Sequence, residues 1–268
     1  MRLVVEGKEV FAATGGRDFD PALPAIIFLH GAGFDHTAWA LLARSFAHHG
    51  FGVLAPDLPG HGRSAGPALS SIAALADWTV ALIDAAGIRA ARLVGHSMGS
   101  LVALETAARH PEKVSALALI ATAAPMRVSD DLLNAAKAND HAAIDMIALW
   151  GEGYRATLGG SETPGLWMLG GAERLLERSR PGVLFADLAA CNDYQGALAA
   201  AAKVTAPSIV IQGSRDLMTS AKSGKAVAAS IPGCRMTILE GAGHMLLSER
   251  PDEVLAALRN AVRAPASA

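Results

Sequence analysis

Short apolar runs alternate with segments of helical spacing along most of the chain. Residues 2–5 and 9–13 alternate in polarity around Gly7-Lys8, which predicts an opening β-hairpin. Residues 25–29 (AIIFL) are continuously apolar, the pattern of a strand buried on both faces. Helical spacing follows over 37–48, then a second buried strand at 52–55, ended by Pro56. The pattern predicts a helix over 70–86, with Ser70 or Ser71 as its N-cap and Gly87 closing it. A strand at 91–94, a helix at 101–109 and a strand at 114–120 come next. The alternation resumes with strands at 207–212 and 235–239 and helices at 221–230 and 252–262.

This order predicts an α/β fold: a mostly parallel eight-stranded sheet with helices on both faces. Between about 125 and 203 strand-like runs vanish, and helical segments with glycine breaks replace them, Gly159-Gly160 and Gly165 among them. The expectation is a core of residues 1–124 and 204–268 with a helical lid at 125–203. Open α/β sheets bind ligands at the C-terminal edge of their strands. A lid lying over that edge shapes the substrate site and excludes water.

Composition narrows the function classes. Of 268 residues, 51% are hydrophobic and 18% charged, enough apolar side chains for a large core. The formal net charge is -2 and no basic run occurs, so nucleic acid is not expected as a partner. The N-terminus meets a charge and a glycine at Glu6-Gly7, too early for a signal segment. The sequence has no uninterrupted apolar stretch of about 18 residues, so no membrane span is expected. The two cysteines, Cys191 and Cys234, form neither a metal spacing nor a disulfide framework. The expectation is a soluble cytoplasmic protein without metal or organic cofactor; oligomeric state is left open.

The candidate chemistry lies in Gly95-His96-Ser97-Met98-Gly99. A G-x-S-x-G pentapeptide between a strand and a helix holds its serine on a sharp, crowded turn where glycine is required on either side. A serine hydroxyl needs a base and an orienting acid to act as nucleophile. His244, in the loop between the last strand and the last helix, is the candidate base, since imidazole titrates near neutrality. Of the other histidines, His48, His49, His110 and His141 fall on helix surfaces or ends. His36 and His61 fall in loops that border the site, and His30 and His96 are read as satisfying local backbone groups. Asp216, in the loop after the strand at 207–212, is the candidate acid; its other reading is a helix cap. The segment after the strand at 114–120 holds no carboxylate through Ala124. Two backbone N–H groups must face a developing oxyanion. Met98 is one candidate. The second comes from the small-residue loop His30-Gly31-Ala32-Gly33, with Ala32 the first choice and Gly33 the second.

With these residues in order, the chain resembles the α/β-hydrolase superfamily, in its lid-bearing serine esterase and lactonase branch. The resemblance rests on His30-Gly31, Trp39, Asp57-Leu58-Pro59-Gly60-His61-Gly62-Arg63-Ser64, the serine pentapeptide, Gly213-Ser214-Arg215-Asp216, and Gly243-His244 followed by Glu249-Arg250-Pro251. It covers all but the lid. It implies a Ser97–Asp216–His244 triad in the order serine, acid, histidine. It also implies supporting roles for Asp57, His61 and Arg63. The expected activity is cleavage of a small carboxylic ester or lactone through an acyl-enzyme on Ser97. Ser97 stands where dehalogenases and epoxide hydrolases of this superfamily carry an aspartate. Carbon–carbon hydrolases of ring-cleavage products commonly have tryptophan after the histidine, where this chain has Met245. Those hydrolases, perhydrolysis and a slow, receptor-like binding protein are the alternatives.

The substrate pocket is read from position alone. Met126, Met146, Trp150, Leu166, Trp167, Met168 and Leu169 lie in the lid, and those that face inward make an apolar pocket. The same spacing also serves a lid core. Arg127, at the start of the lid, is a candidate partner for a substrate carboxylate or a solvated surface charge. Asp35, His36 and Met245 complete the candidates.

Overall fold

The strands are β1 (Arg2–Val5), β2 (Lys8–Ala13), β3 (Ala25–Leu29), β4 (Gly52–Pro56), β5 (Ala91–His96), β6 (Val114–Ile120), β7 (Ser208–Gly213) and β8 (Arg235–Leu239). In the computed structural model, which describes residues 1–159 and 167–262, they form one sheet in the order β1-β2-β4-β3-β5-β6-β7-β8. The β1–β2 hairpin joins β4 antiparallel, and every pairing from β4 to β8 is parallel.

Alternation along β3 shows why the sheet needs helices on both faces. Ile26 and Phe28 point to one side, against Trp39, Leu42 and Phe46 and the C-terminal Leu258. Ile27 and Leu29 point to the other, against Leu75, Leu82, Leu101 and Leu104. Successive side chains of a strand face opposite ways, so a run with no polar position is buried twice. The helices that cover it are α1 (Ala40–Ala47) and α12 (Pro251–Val262) on the first face. On the second lie α2 (Ile72–Ala85), α3 (Met98–Arg109) and α10 (Ala221–Ser230). β8 closes the edge and is only partly buried.

Between β6 and β7 the chain forms α4 (Asp130–Ala138), α5 (Ala142–Gly151), α6 (Tyr154–Thr157), α7 (Met168–Leu176), α8 (Val183–Asp193) and α9 (Ala197–Ala201). A third apolar cluster ties α4, α5, α7 and α8 together through Leu132, Ala136, Ile147, Leu176 and Leu188, and it includes Phe34 and Met245 from the loops of the sheet. Both ends of the stretch join the sheet's own core, through Met126 and through Ala197, Ala200 and Ala201. Among the described residues no helix is long and apolar enough to cross a membrane.

The differences from the sequence pattern are local. The helix expected over 37–48 begins with a 3-10 turn at His36–Trp39, because Asp35 Oδ1 accepts from the Thr37 amide and starts the turn early. Ser71, not Ser70, caps α2, accepting from the Ala74 amide. Helix α3 starts at Met98, directly after the serine, rather than at Leu101. A short helix α11 (Leu246–Glu249) lies between His244 and α12, and no pattern announced it.

Candidate active site

Parallel pairing from β3 to β8 brings the loops after β3, β5, β7 and β8 to one edge of the sheet, and these loops carry Ala32, Ser97, Asp216 and His244. Ser97 sits at φ 53, a conformation unfavourable for any residue with a Cβ. The turn is held by its own backbone: the Ser97 amide donates to the Ile120 carbonyl at 2.9 Å, and Ser100 Oγ donates to the Ser97 carbonyl at 2.6 Å. Its flanking glycines are dictated by space. A Cβ on Gly95 would lie 2.0 Å from the Gly99 carbonyl oxygen, and one on Gly99 would lie 2.2 Å from that of Leu29. Ser97 is half-buried and its side chain lines a cavity.

His244 is buried and lines the same cavity. Its Nδ1 lies 2.9 Å from Asp216 Oδ2 and 3.1 Å from Thr219 Oγ1. Asp216 also accepts from the amides of Met218 and Thr219 and from the Thr219 hydroxyl. Burial alone would raise the Asp216 pKa, but His244 beside it and the Thr219 bonds hold the carboxyl below its usual value. An ionised carboxylate facing Nδ1 keeps the proton there and leaves the Nε2 lone pair free as a base. Asp216 does not cap α10; Ser220 does, accepting from the Ser223 amide. The hydrogen bonds of the His244 ring run to Asp216 and Thr219, and among the described residues none closes on Ser97 Oγ. Such bonds are commonly long in a resting site and tighten when substrate fills it. His96 supports the same loop, its Nε2 donating to the His244 carbonyl at 2.9 Å. Burial, with the His244 ring beside it, pushes His96 down to about 3, so its ring is neutral.

The loop after β3 runs against the serine, and a Cβ on Gly31 would lie 3.3 Å from Ser97 Cβ. Within that loop the two oxyanion candidates differ. The Gly33 amide donates to Asp187 Oδ2 at 2.8 Å, an engagement that turns it away from a ligand. Ala32 lines the cavity and is therefore the better placed of the two. Met98 begins α3, where helix geometry leaves the first amides without intrahelical partners. Asp187, on α8, is the residue the sequence reading missed. It also accepts from His61 Nε2 at 2.7 Å, while His61 Nδ1 faces the Pro59 carbonyl at 3.0 Å. Both ring nitrogens face acceptors, which is the pattern of a protonated imidazole. Burial alone would lower the His61 pKa, but the charge and hydrogen bond of Asp187 raise it. An acid among Val183, Leu188 and Cys191, all buried on the same helix, was the available signal.

Asp57 accepts from the His36 amide and ring through Oδ1 and from the Arg63 amide through Oδ2. Arg63 lies over the Phe11 ring, 4.6 Å from its centroid. Asp35 binds Thr37 and Arg178. Asp35, His36 and Asp57 have potential ligand atoms within 4.8 Å of one another, but the two carboxylates already accept N–H and O–H donors, the His36 ring among them, so the group is a hydrogen-bonded loop anchor. Asp35 is thus engaged with Thr37 and Arg178 and His36 with Asp57, and neither lines the cavity at Ser97.

That cavity measures ≈ 210 Å³, and it is walled by Ala32, Phe34, His96, Ser97, His244 and Met245 from the sheet's loops. The helical stretch adds Met126, Arg127, Leu132, Ile147, Trp150 and Leu188, and the loop after β7 adds Leu217, Met218 and Thr219. Arg127 is exposed at its border. Trp167 is 72% exposed and lines a second cavity with Met168 rather than this one. Met146 and Leu169 pack into the apolar cluster of the helical stretch. Leu166 lies outside the described residues.

Behind His244 two carboxyls are buried together. The amides of His244 and Met245 donate to the Gly151 carbonyl at the end of α5, at 2.7 and 3.0 Å. Glu249 accepts from the amides of Gly243 and Gly153, joining the same two segments. Burial, then the charge of Glu249, raises Glu152 to about 8. Between its ordinary 4.5 and about 8, the folded protein holds a proton that the unfolded chain has released. Stability from this group is therefore complete below 4.5 and lost as pH rises through about 8. Glu152→Gln is expected to narrow the fall in melting temperature between pH 5 and pH 9 by several degrees, at about 2–4 °C per kcal/mol for a chain of this size. A fall unchanged in calorimetry would show that Glu152 ionises normally.

The model of the alpha/beta hydrolase family matches residues 26–257. A pimeloyl-[acyl-carrier protein] methyl ester esterase of Chromobacterium violaceum is 33% identical over 245 residues, spanning 87% of this chain and 92% of that protein. The Aromatoleum aromaticum protein of the same description is 29% identical over 265 residues, spanning 90% and 98%. Among solved structures, the enol-lactonase from Burkholderia xenovorans LB400 superposes with a TM-score of 0.85 at 24% identity, covering 97% of this chain and 98% of that one.

Proposed function

The chain belongs to the alpha/beta hydrolase family, and from that premise we propose that it cleaves a carboxylic ester or lactone of a small molecule through an acyl-enzyme on Ser97. The observation that carries this reading is the convergence on one cavity of Ser97, at φ 53 on its turn, and of His244, whose Nδ1 is engaged by the buried Asp216. The relative at 33% identity, named as a methyl ester esterase, supports the ester class.

In the proposed reaction His244 Nε2 takes the Ser97 hydroxyl proton as Oγ attacks the carbonyl carbon. The oxyanion is held by the amides of Met98 and Ala32. The carbonyl re-forms, the bond to the alcohol oxygen breaks, and His244 returns the proton to that oxygen. In a lactone the alcohol stays tethered to the acyl group. Water, deprotonated by His244, then attacks the acyl carbon; the bond to Ser97 Oγ breaks, the acid leaves, and His244 returns the proton to Oγ. The residues at 125–203 act as a lid in this reading, since the described ones supply about half of the cavity wall and so set the shape a substrate must fit.

Stopped-flow mixing with p-nitrophenyl acetate, butyrate and octanoate tests the proposal. A burst of p-nitrophenol with a Ser97-linked acyl adduct in the mass spectrum is expected. A cavity of ≈ 210 Å³ predicts preference for the shorter chains. Absence of both turnover and adduct with a folded protein would overturn the acyl-enzyme reading.

A further inference from the structure

A second cavity, larger than the first at ≈ 490 Å³, lies between α7, the His36–Trp39 turn and α11. It shares Phe34, His96 and Met245 with the Ser97 cavity, so these three side chains form a common wall. Drug-sized ligands commonly occupy about 300–1,000 Å³. The Ser97 cavity alone falls below that range, and the second falls within it. Met245 is the movable part of the wall, because an unbranched thioether has three rotatable bonds and adapts to what it packs against.

The second cavity is apolar along Met168, Leu175 and Leu247. At its rim Arg174 is paired with Glu177, and Arg178 with Asp35. Among the described residues its one buried carboxyl is Glu152, 4% exposed at the end of α5. Glu152 Oε2 is buried and has no hydrogen-bond partner among the described residues. The neighbouring Glu249 is in the opposite condition, with both oxygens engaged by backbone amides. A buried polar atom left unsatisfied is costly, and a ligand group that meets it gains accordingly.

We propose that this second cavity is a subsite for the far limb of an elongated ester, and that Glu152 selects a limb ending in a neutral hydroxyl or amide. The proposal rests on the ester-hydrolase reading of Ser97. Beside the Glu249 carboxylate and away from water, Glu152 keeps its proton at neutral pH, with a pKa of about 8. A protonated carboxyl donates one hydrogen bond and accepts another, which matches a hydroxyl or a carboxamide. A limb ending in carboxylate meets Glu249's charge in a desolvated place and is disfavoured.

Two ester series of equal length offer either limb to the cavity: methyl esters of ω-substituted hexanoic acids and acetates of ω-substituted hexanols. The terminal group is methyl, hydroxyl, carboxamide, carboxylate or ammonium. In at least one series the native protein is expected to favour hydroxyl and carboxamide over methyl by about 3- to 10-fold in KM, with carboxylate last. Glu152→Leu is expected to erase the preference for hydroxyl and carboxamide. Glu152→Gln is expected to keep most of it. Each ratio is taken within one variant, so partial unfolding cancels. Equal KM for methyl and hydroxyl in both native series overturns the proposal, as does a preference that survives in Glu152→Leu. Preference for ammonium alone overturns the neutral-limb assignment. Failure to hydrolyse any ester, p-nitrophenyl acetate included, is a different result: it removes the hydrolase reading itself.

Discussion

Ser97→Ala is expected to lower kcat/KM for p-nitrophenyl butyrate by about 10⁴- to 10⁶-fold, the scale on which removal of a serine nucleophile acts. The reasoning is local. Ser97 is held at φ 53 by the Ile120 and Ser100 hydrogen bonds, which are made by or to its backbone and survive the substitution. Alanine removes one oxygen from a half-buried side chain and leaves Gly95 and Gly99 in place. The variant should therefore keep its fold and its ligand affinity while losing turnover. Activity is read by p-nitrophenol release, binding by titration with a non-hydrolysable ketone analogue, and fold by circular dichroism. Turnover within tenfold of the native rate would sink the nucleophile assignment, whatever the affinity.

Asp216→Asn is the second large effect, with kcat expected to fall about 10⁴-fold and KM to change little. The native carboxylate accepts four hydrogen bonds: from His244 Nδ1, from the amides of Met218 and Thr219, and from the Thr219 hydroxyl. An asparagine can keep its oxygen toward the two amides, which turns its NH₂ toward His244. Nδ1 must then accept, the ring proton moves to Nε2, and the base facing the cavity is lost. The variant should also be less acid-sensitive. Asp216 has a folded-state pKa held below its ordinary 3.8, so it stabilises the native protein above that value. This contribution disappears as pH falls through the depressed folded value, and asparagine has nothing to lose there. Retention of more than a hundredth of the native kcat would show that Asp216 is not the acid that sets the tautomer of His244.

Parts of this architecture were legible because they depend on neighbours in the chain. The alternation that sends Ile26 and Ile27 to opposite faces is written in five consecutive residues, and β3 has the expected bounds. Likewise β1, β6, β8 and α10 fall where the pattern puts them. The edge on which Ser97, Asp216 and His244 meet follows from parallel strands alone, since each residue leaves the C-terminal end of its own strand. Glycines around the serine were expected from the turn's crowding, and the 2.0 and 2.2 Å approaches give that crowding a cause in Gly99 and Leu29.

The walls of the cavity were not legible in this way. Helix α5 reads AAIDMIALWG, apolar almost all round, so its own sequence does not say that Ile147 and Trp150 line the Ser97 cavity while Met146, packed in the same apolar cluster, does not. Asp35 and His36 follow the His30–Gly33 loop closely in sequence, yet hydrogen bonds to Thr37, Arg178 and Asp57 hold them away from the cavity. Ala32 is already the first choice over Gly33 in the sequence, but the hydrogen bond that engages the Gly33 amide goes to Asp187, 154 residues away in the chain.

By itself, then, the sequence determined the strand and helix alternation, the strained serine turn and the identities of the three residues at the sheet's edge. These follow from side-chain period, turn sterics and chain direction, which act over a few residues. Only the tertiary structure decided which faces of the helical stretch turn inward, that Asp187 bridges the loop after β3 to His61, and that Glu152 Oε2, beside Glu249, has no hydrogen-bond partner among the described residues. Those arrangements join residues far apart in the chain, and they are set by helix packing and by the desolvation of charge, which no local pattern encodes.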